Sequence, residues 1–156
     1  LMPESMIFCA PHANSYHRFE ENSYAAINAT WGKDNRTTAL RIPSGNEDST
    51  RIEHRLSGAD ANPYLVMAML ISGFLHGFEE DPEIPPETIG NGYEDGSRPL
   101  PQSWEAALDL FQNKSRLSSI LGQEFSTLYR QLKFGEQKRF RRVITPHEYD
   151  WYLHTV

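Results

Sequence analysis

Cysteine is almost missing from this sequence: Cys9 is the one in 156 residues. No internal disulfide can form, and the apolar run Met6-Ile7-Phe8-Cys9-Ala10 makes this thiol a small hydrophobe rather than a reactive group. That usage agrees with a reducing, cytoplasmic setting. Positive charge is also scarce, since 15 Lys and Arg face 21 Asp and Glu for a formal net charge of −6. Nucleic-acid binding needs a concentrated positive field, so no such partner is expected. Long apolar runs are absent too. The longest, Tyr64 to Phe78, carries His76 and falls short of the roughly 20 residues a bilayer demands, so no membrane partner is expected. The chain opens without a basic segment, apolar core and small-residue cleavage site, so it shows no sign of export. Its first residues, Leu1-Met2-Pro3-Glu4, read as a cut through a longer protein. His12, His17, His54, His76, His147 and His154 lack paired zinc spacing and read as structural. No internal repeat of 20 to 50 residues is present.

At this length one compact domain is the default. Ile27 to Trp31, Thr37 to Ile42 and Arg51 to Leu56 are rich in Ile, Thr and Leu and predict strands. The turn formers Gly32-Lys33-Asp34-Asn35 and Pro43-Ser44-Gly45-Asn46-Glu47-Asp48-Ser49 separate them. Three strands joined by short loops point to part of an antiparallel sheet. Asp60 or Asn62 can cap a helix that opens on Pro63 and stops at Glu79-Glu80-Asp81-Pro82. Because it is apolar nearly all round, it should lie inside the molecule. Pro82 to Pro101 reads as a loop, long enough to be functional or to contact another subunit. Ser103 then caps a helix running to about Asn113, and a short helical piece near Ser115 to Leu121 ends at Gly122. Phe125, Leu128, Tyr129 and Leu132 form the stripe of a last long helix packed on one side, with Gly135 as a candidate kink. The basic run Arg130, Lys133, Lys138, Arg139, Arg141 and Arg142 reads as a solvated face. Thr145-Pro146-His147-Glu148 opens a final short helix. The fold class is therefore α+β, an antiparallel sheet segment followed by C-terminal helices.

Chemistry concentrates in Arg51-Ile52-Glu53-His54-Arg55-Leu56. In a strand, Arg51, Glu53 and Arg55 line one face and Ile52, His54 and Leu56 the other. A carboxylate between two guanidiniums has two readings: an exposed ion-pair ladder, or a site where Glu53 binds a hard cation and the arginines clamp anions. The pattern alone favours the ladder. Arg18, Arg36, Arg41, Arg51 and Arg55 all fall within one segment whose only lysine is Lys33. Arginine's planar fork matches carboxylate and phosphate oxygens two at a time, so this bias points to a site for several anionic groups. Arg36 and Arg41 have opposite parity, so Arg36 must act from the turn unless a bulge intervenes.

Asn14-Ser15-Tyr16-His17-Arg18, Trp31-Gly32-Lys33-Asp34-Asn35-Arg36, Leu40-Arg41-Ile42-Pro43, Arg51-Ile52-Glu53-His54-Arg55 and Ala61-Asn62-Pro63-Tyr64-Leu65 resemble, in order and spacing, successive motifs of the glutamine synthetase catalytic domain. The resemblance implies that residues 1–156 are the C-terminal part of that domain, with a strand-rich active-site segment over 1–60 and a helical segment over 61–156. It implies an ATP-dependent ligase joining the γ-carboxylate of glutamate to an amine through a γ-glutamyl phosphate. Glu53 resembles a ligand of the Mg²⁺ or Mn²⁺ that helps hold ATP. Arg18 and Arg55 resemble the arginines that hold glutamate, and Arg36 the catalytic arginine at the transferred phosphoryl group. Arg36, Arg41 and Arg51 together resemble the ATP-binding arginines. Fixed cations at these positions would offset the repulsion between the gathered anions. The family also implies a ring-shaped homo-oligomer with sites between subunits. Further metal ligands and a smaller domain would lie upstream, so the chain alone is expected to be inactive.

Two departures from the family pattern bear on the substrate. Classical members carry a glutamate after the tyrosine of a mobile loop, where it helps bind ammonium and take its proton. Here Ala25 follows Tyr24, as in the branch that makes γ-glutamylputrescine or related γ-glutamylamines, so a polyamine-type primary amine is expected. The alternatives are a classical enzyme using ammonia and a non-catalytic relative. The second departure is Asn46-Glu47-Asp48, where members often carry a basic residue near the nucleotide.

Overall fold

The computed structural model describes residues 1–96, 98–113 and 115–155. Helix α1, Met2–Cys9, leads into a 3₁₀ segment, Ala13–Arg18. Strands β1 (Trp31–Lys33), β2 (Leu40–Ile42) and β3 (Glu53–His54) follow. Helices α2 (Pro63–Glu80), α3 (Trp104–Asn113), α4 (Arg116–Ile120), α5 (Gln123–Phe140) and α6 (Pro146–Tyr152) complete the order. The α+β class is as expected, and among the described residues no helix is long and apolar enough to cross a membrane.

The sheet order is β1-β2-β3, and one pairing differs from expectation. β2 and β3 are antiparallel, but β1 and β2 run parallel, with Trp31 opposite Leu40 and Lys33 opposite Ile42. Parallel neighbours usually need a crossover of a dozen residues or more. These strands are three residues each, so the turn through residues 34–39, opened by Asp34 at φ 49°, brings the chain back alongside.

The described residues of the stretch 82–101 are irregular, as predicted, and they cover the open edge of β1. Thr88 N–H donates to Trp31 O at 2.9 Å, Trp31 Nε1–H to Pro85 O at 2.7 Å, and Lys33 N–H to Glu87 Oε1 at 2.9 Å. These bonds satisfy an edge that would otherwise expose unpaired backbone groups. Gly32 permits the approach, because a Cβ there would lie 2.8 Å from Thr88 O.

The core forms around α1, which the sequence reading saw only as an apolar run. Phe8 meets Phe111 edge-on at 5.2 Å and stacks on Tyr129 at 4.6 Å. Full burial of such a ring is worth about 1.5–3 kcal/mol. Glu4 reaches α4, where its carboxylate accepts from Leu117 N–H at 2.9 Å, one of the donors a helix start leaves unsatisfied. Cys9 is fully buried, and burial pushes its thiol above the ordinary pKa.

Four helical expectations need correction. α2 is capped by Asn62, which accepts from Tyr64 and Leu65 N–H, yet only its Met69 is buried. Tyr64, Met67, Ile71, Phe74, Leu75 and Phe78 are exposed, with nothing among the described residues covering the outer side of the helix. On α5 the stripe is rotated: Tyr129 is buried, while Leu128 and Leu132 face outward. Lys133, read as solvated, is buried, with Nζ donating to Pro11 O at 3.2 Å and to Glu136 at 2.8 Å. Gly135 leaves α5 unbroken. At the C-terminal end, Thr145 N–H donates to Glu148 at 2.9 Å, as the predicted helix start requires.

Candidate active site

Alternation along β2 and β3 sorts the side chains as expected. Leu40, Ile42 and Ile52 line an apolar cavity with Trp31 on one side of the sheet. On the other side, Arg41 and Glu53 are register partners. Arg41 Nη1–H donates to Glu53 Oε2 at 3.0 Å, and Arg51 Nη2–H donates to Glu53 Oε1 at 3.0 Å. The carboxylate thus bridges two guanidiniums. The hydrogen bond from Arg41, with the charges of Arg41 and Arg51, holds it below the usual carboxylate range against an opposing desolvation effect.

The chain of charge extends to Asp34, which the sequence reading treated only as a turn former. Its Oδ1 accepts from Arg41 Nη2 at 3.2 Å and from Ser44 N–H at 2.9 Å, and Ser44 Oγ bonds its other oxygen. Those two bonds from Ser44 are the main reason its pKa is lowered. Asp34 therefore fastens Arg41 to the loop through Pro43 and Ser49. The signal was legible only as an acidic residue at a strand end, with no spacing rule to mark its partner.

Arg55 gathers a second group. Its Nη2 donates to Tyr24 O and to Arg36 O, both at 2.9 Å, joining the loop before Ala25 to the turn that carries Arg36. Tyr24 sits at φ 58°, a left-handed conformation that costs a non-glycine residue about 1–2 kcal/mol. Arg36 projects from this turn, as its parity required, and its guanidinium is exposed with no partner among the described residues. Arg18 lies behind, with Nη1 donating to Leu56 O at 3.0 Å and Nη2 to Arg55 O at 3.4 Å. All six residues singled out from the sequence thus come to β2, β3 and the segments bound to them.

The donor set fits anionic groups. The Nε atoms of Arg41 and Arg55 are out of solvent and without partners, so neither guanidinium is satisfied by the protein. A guanidinium offers five donors, and those of Arg18, Arg41 and Arg55 are only partly used. Glu53 fits a hard divalent cation as one oxygen ligand, since each oxygen retains acceptor capacity beside its arginine. Among the described residues no group of three or more His, Cys, Asp or Glu side chains could hold a metal, so Glu53 would be one ligand of a larger set. Asn46 caps an exposed 3₁₀ segment, Glu47–Ser49, its Oδ1 accepting from Ser49 N–H at 3.1 Å.

Residues 1–152 match the family described as glutamine synthetase, catalytic domain. Gamma-glutamylputrescine synthetase PuuA of Escherichia coli strain K12 is 44% identical over 153 residues, covering 98% of this chain and 32% of the relative. Gamma-glutamylethanolamide synthetase GlnA4 of Streptomyces coelicolor is 38% identical over 150 residues, covering 96% and 31%. The solved structure of apo GmaS without ligand has a TM-score of 0.81 and 25% identity, covering 98% of this chain and 35% of that one. The chain spans about a third of the length of the curated relatives it matches. Matched over residues 1–152 by the family and over nearly its whole length by these relatives, the chain belongs to the glutamine synthetase family.

Proposed function

We propose that the full-length protein is an ATP-dependent ligase that joins the γ-carboxylate of glutamate to a primary alkyl amine through a γ-glutamyl phosphate. The present chain is the C-terminal part of its catalytic domain, with the active-site segment in residues 1–60 and the helical segment in 61–156. The observation that carries this reading is the guanidinium cluster around Glu53, with Arg36 unpaired at its edge. Phosphoryl transfer to a carboxylate gathers negative charge, and preorganised cations lower its barrier most where charge develops. Arg36 takes the transferred phosphoryl group, Arg41 and Arg51 the nucleotide phosphates, and Arg18 and Arg55 the glutamate. Glu53 contributes one oxygen to a Mg²⁺ or Mn²⁺ that neutralises phosphate charge when bound.

A carbon-bearing amine is favoured over ammonia for two reasons. Ala25 is buried beside Tyr24, where a carboxylate would be needed to hold ammonium and accept its proton. The reported relatives are named for putrescine and ethanolamide products. Exposed apolar surface on α2 and α6 supports a homo-oligomer, and the reduced, buried Cys9 suits the cytoplasm. The test is phosphate release by the full-length protein with glutamate, ATP and Mg²⁺, with putrescine or ammonia as acceptor. Release dependent on both glutamate and amine is expected. Release that ignores glutamate would sink the reading.

A further inference from the structure

Arg41 is held by two carboxylates, and the proposed chemistry uses only one of them. Glu53 accepts from Nη1 at 3.0 Å, while Asp34, just past the end of β1, accepts from Nη2 at 3.2 Å. Asp34 is itself fixed independently of the guanidinium. Its N–H donates to Ile42 O at 3.0 Å, and its carboxylate takes both the N–H and the hydroxyl of Ser44. Aspartate also suits the left-handed φ of 49° at this turn better than most non-glycine residues.

These bonds close a ring. From Asp34 it runs through Arg41, Glu53 and Arg51, whose Nη1–H donates to Ser49 O at 3.3 Å, and it returns along residues 45–48 to Ser44. Both ends of the loop between β2 and β3 are thus tied to the charged row. Exposed ion pairs usually contribute little. Arg41 is the shielded member of this row, its side chain 17% exposed against 57% for Arg51, so water replaces its carboxylates less readily. Opening the ring at Asp34 frees Nη2 and releases the loop at Ser44 together, while Glu53 still holds Nη1.

We infer that Asp34 is a positioning residue for nucleotide binding: it sets the rotation of the Arg41 guanidinium and seats the loop 43–49 beside it, so that Arg41 meets a phosphate already oriented. A guanidinium anchored at both Nη atoms can turn little, and a preorganised cation acts on gathered charge without first rearranging. The negative charge of Asp34 by itself repels a phosphate, so its benefit comes through Arg41. This deepens the proposed function and rests on it for the assignment of Arg41 to nucleotide phosphates.

The experiment measures ATP binding to the full-length protein by calorimetry, with Mg²⁺ but without glutamate or amine, alongside KM for ATP, glutamate and putrescine. Asp34→Asn keeps an acceptor for Ser44 and tolerates the left-handed turn, but it loses the charge that holds Arg41. It should weaken ATP binding about 5-fold, the upper scale for an exposed ion pair, and raise KM for ATP with KM for glutamate unchanged. Ser44→Ala, which removes the hydroxyl bond and keeps the N–H, should give a smaller loss in the same direction. ATP affinity that is unchanged or tighter in Asp34→Asn overturns the inference, and so does an equal rise in KM for ATP and glutamate, the mark of a general structural role. Loss of folded protein lowers kcat and the calorimetric stoichiometry without moving Kd, so it cannot imitate the expected result. If wild type binds ATP but forms no γ-glutamylamine, the proposed function fails and this inference is judged on the Asp34→Asn affinity alone. If wild type binds no ATP, both fail.

Discussion

Arg41 and Glu53 are register partners across β2 and β3, and their ion pair of 3.0 Å closes directly over the ladder. Backbone pairing thus fixes the distance between a guanidinium and a carboxylate before any side chain chooses a rotamer. The second guanidinium comes from Arg51, two residues before Glu53 on the same face. A site built on paired strands holds its groups more rigidly than one built on loops.

Glu53→Ala in the full-length protein removes the proposed metal-ligand carboxylate and leaves Arg41 and Arg51 unbalanced. Activity with glutamate, ATP and amine should fall by about 10²-fold or more, the usual scale for one preorganised electrostatic contact. Normal turnover at saturating Mg²⁺ would identify the strand as a surface ion-pair ladder.

His54 offers a pH test of folding. It is half-buried on β3, and desolvation lowers its pKa below 6.5. Above that value both folded and unfolded chains carry it neutral. As pH falls below 6.5 the unfolded chain takes up the proton first, so stability declines until the lower folded pKa is passed. The urea midpoint of wild type should therefore drop more between pH 7.5 and 5.5 than that of His54→Gln. Equal drops would mean that His54 titrates alike in both states.

The sequence revealed the site better than the packing. Strand parity placed Arg51 and Glu53 together and put Arg36 in the turn, because period-two alternation is a local rule. The parallel pairing of β1 was not legible, since register depends on where the chain returns and not on composition. The central place of α1 escaped for a related reason: Met6 to Ala10 reads apolar in any conformation. For α2, an apolar surround was taken to mean burial within this chain. The exposed Phe74 and Phe78 show that an all-round apolar pattern does not by itself mean burial within the chain.

Tyr129 illustrates a long-range bond that no spacing rule predicts. Ile7 O near the end of α1 would ordinarily accept from the amide four residues on, but that residue is Pro11, which has no N–H. Tyr129 Oη–H takes its place at 3.1 Å in a buried setting. Tyr129→Phe keeps the ring stacked on Phe8 and removes only the donor, so it should cost about 1–3 kcal/mol in chemical denaturation. A change below about 0.5 kcal/mol would show that the carbonyl finds another donor.

The proposed preference for an alkyl amine turns on Ala25. Its backbone is positioned by Arg55, which grips the carbonyl of Tyr24, and by Ser23 Oγ, which accepts from Ala25 N–H at 3.2 Å. Position 25 is thus fixed next to the guanidinium assigned to glutamate. A carboxylate there would attract ammonium and accept its proton during attack, which general-base catalysis values at about 10²- to 10⁴-fold. Alanine can do neither, which leaves the amine to be held by other groups. In the full-length protein, kcat/KM for putrescine should exceed that for ammonia, and Ala25→Glu should shift the ratio toward ammonia by about 10-fold or more. Ala25→Gln supplies the same bulk without the charge and should depress putrescine turnover without aiding ammonia. If wild type already favours ammonia, the assignment fails; if the glutamine and glutamate variants behave alike, position 25 acts by volume alone and not as a base.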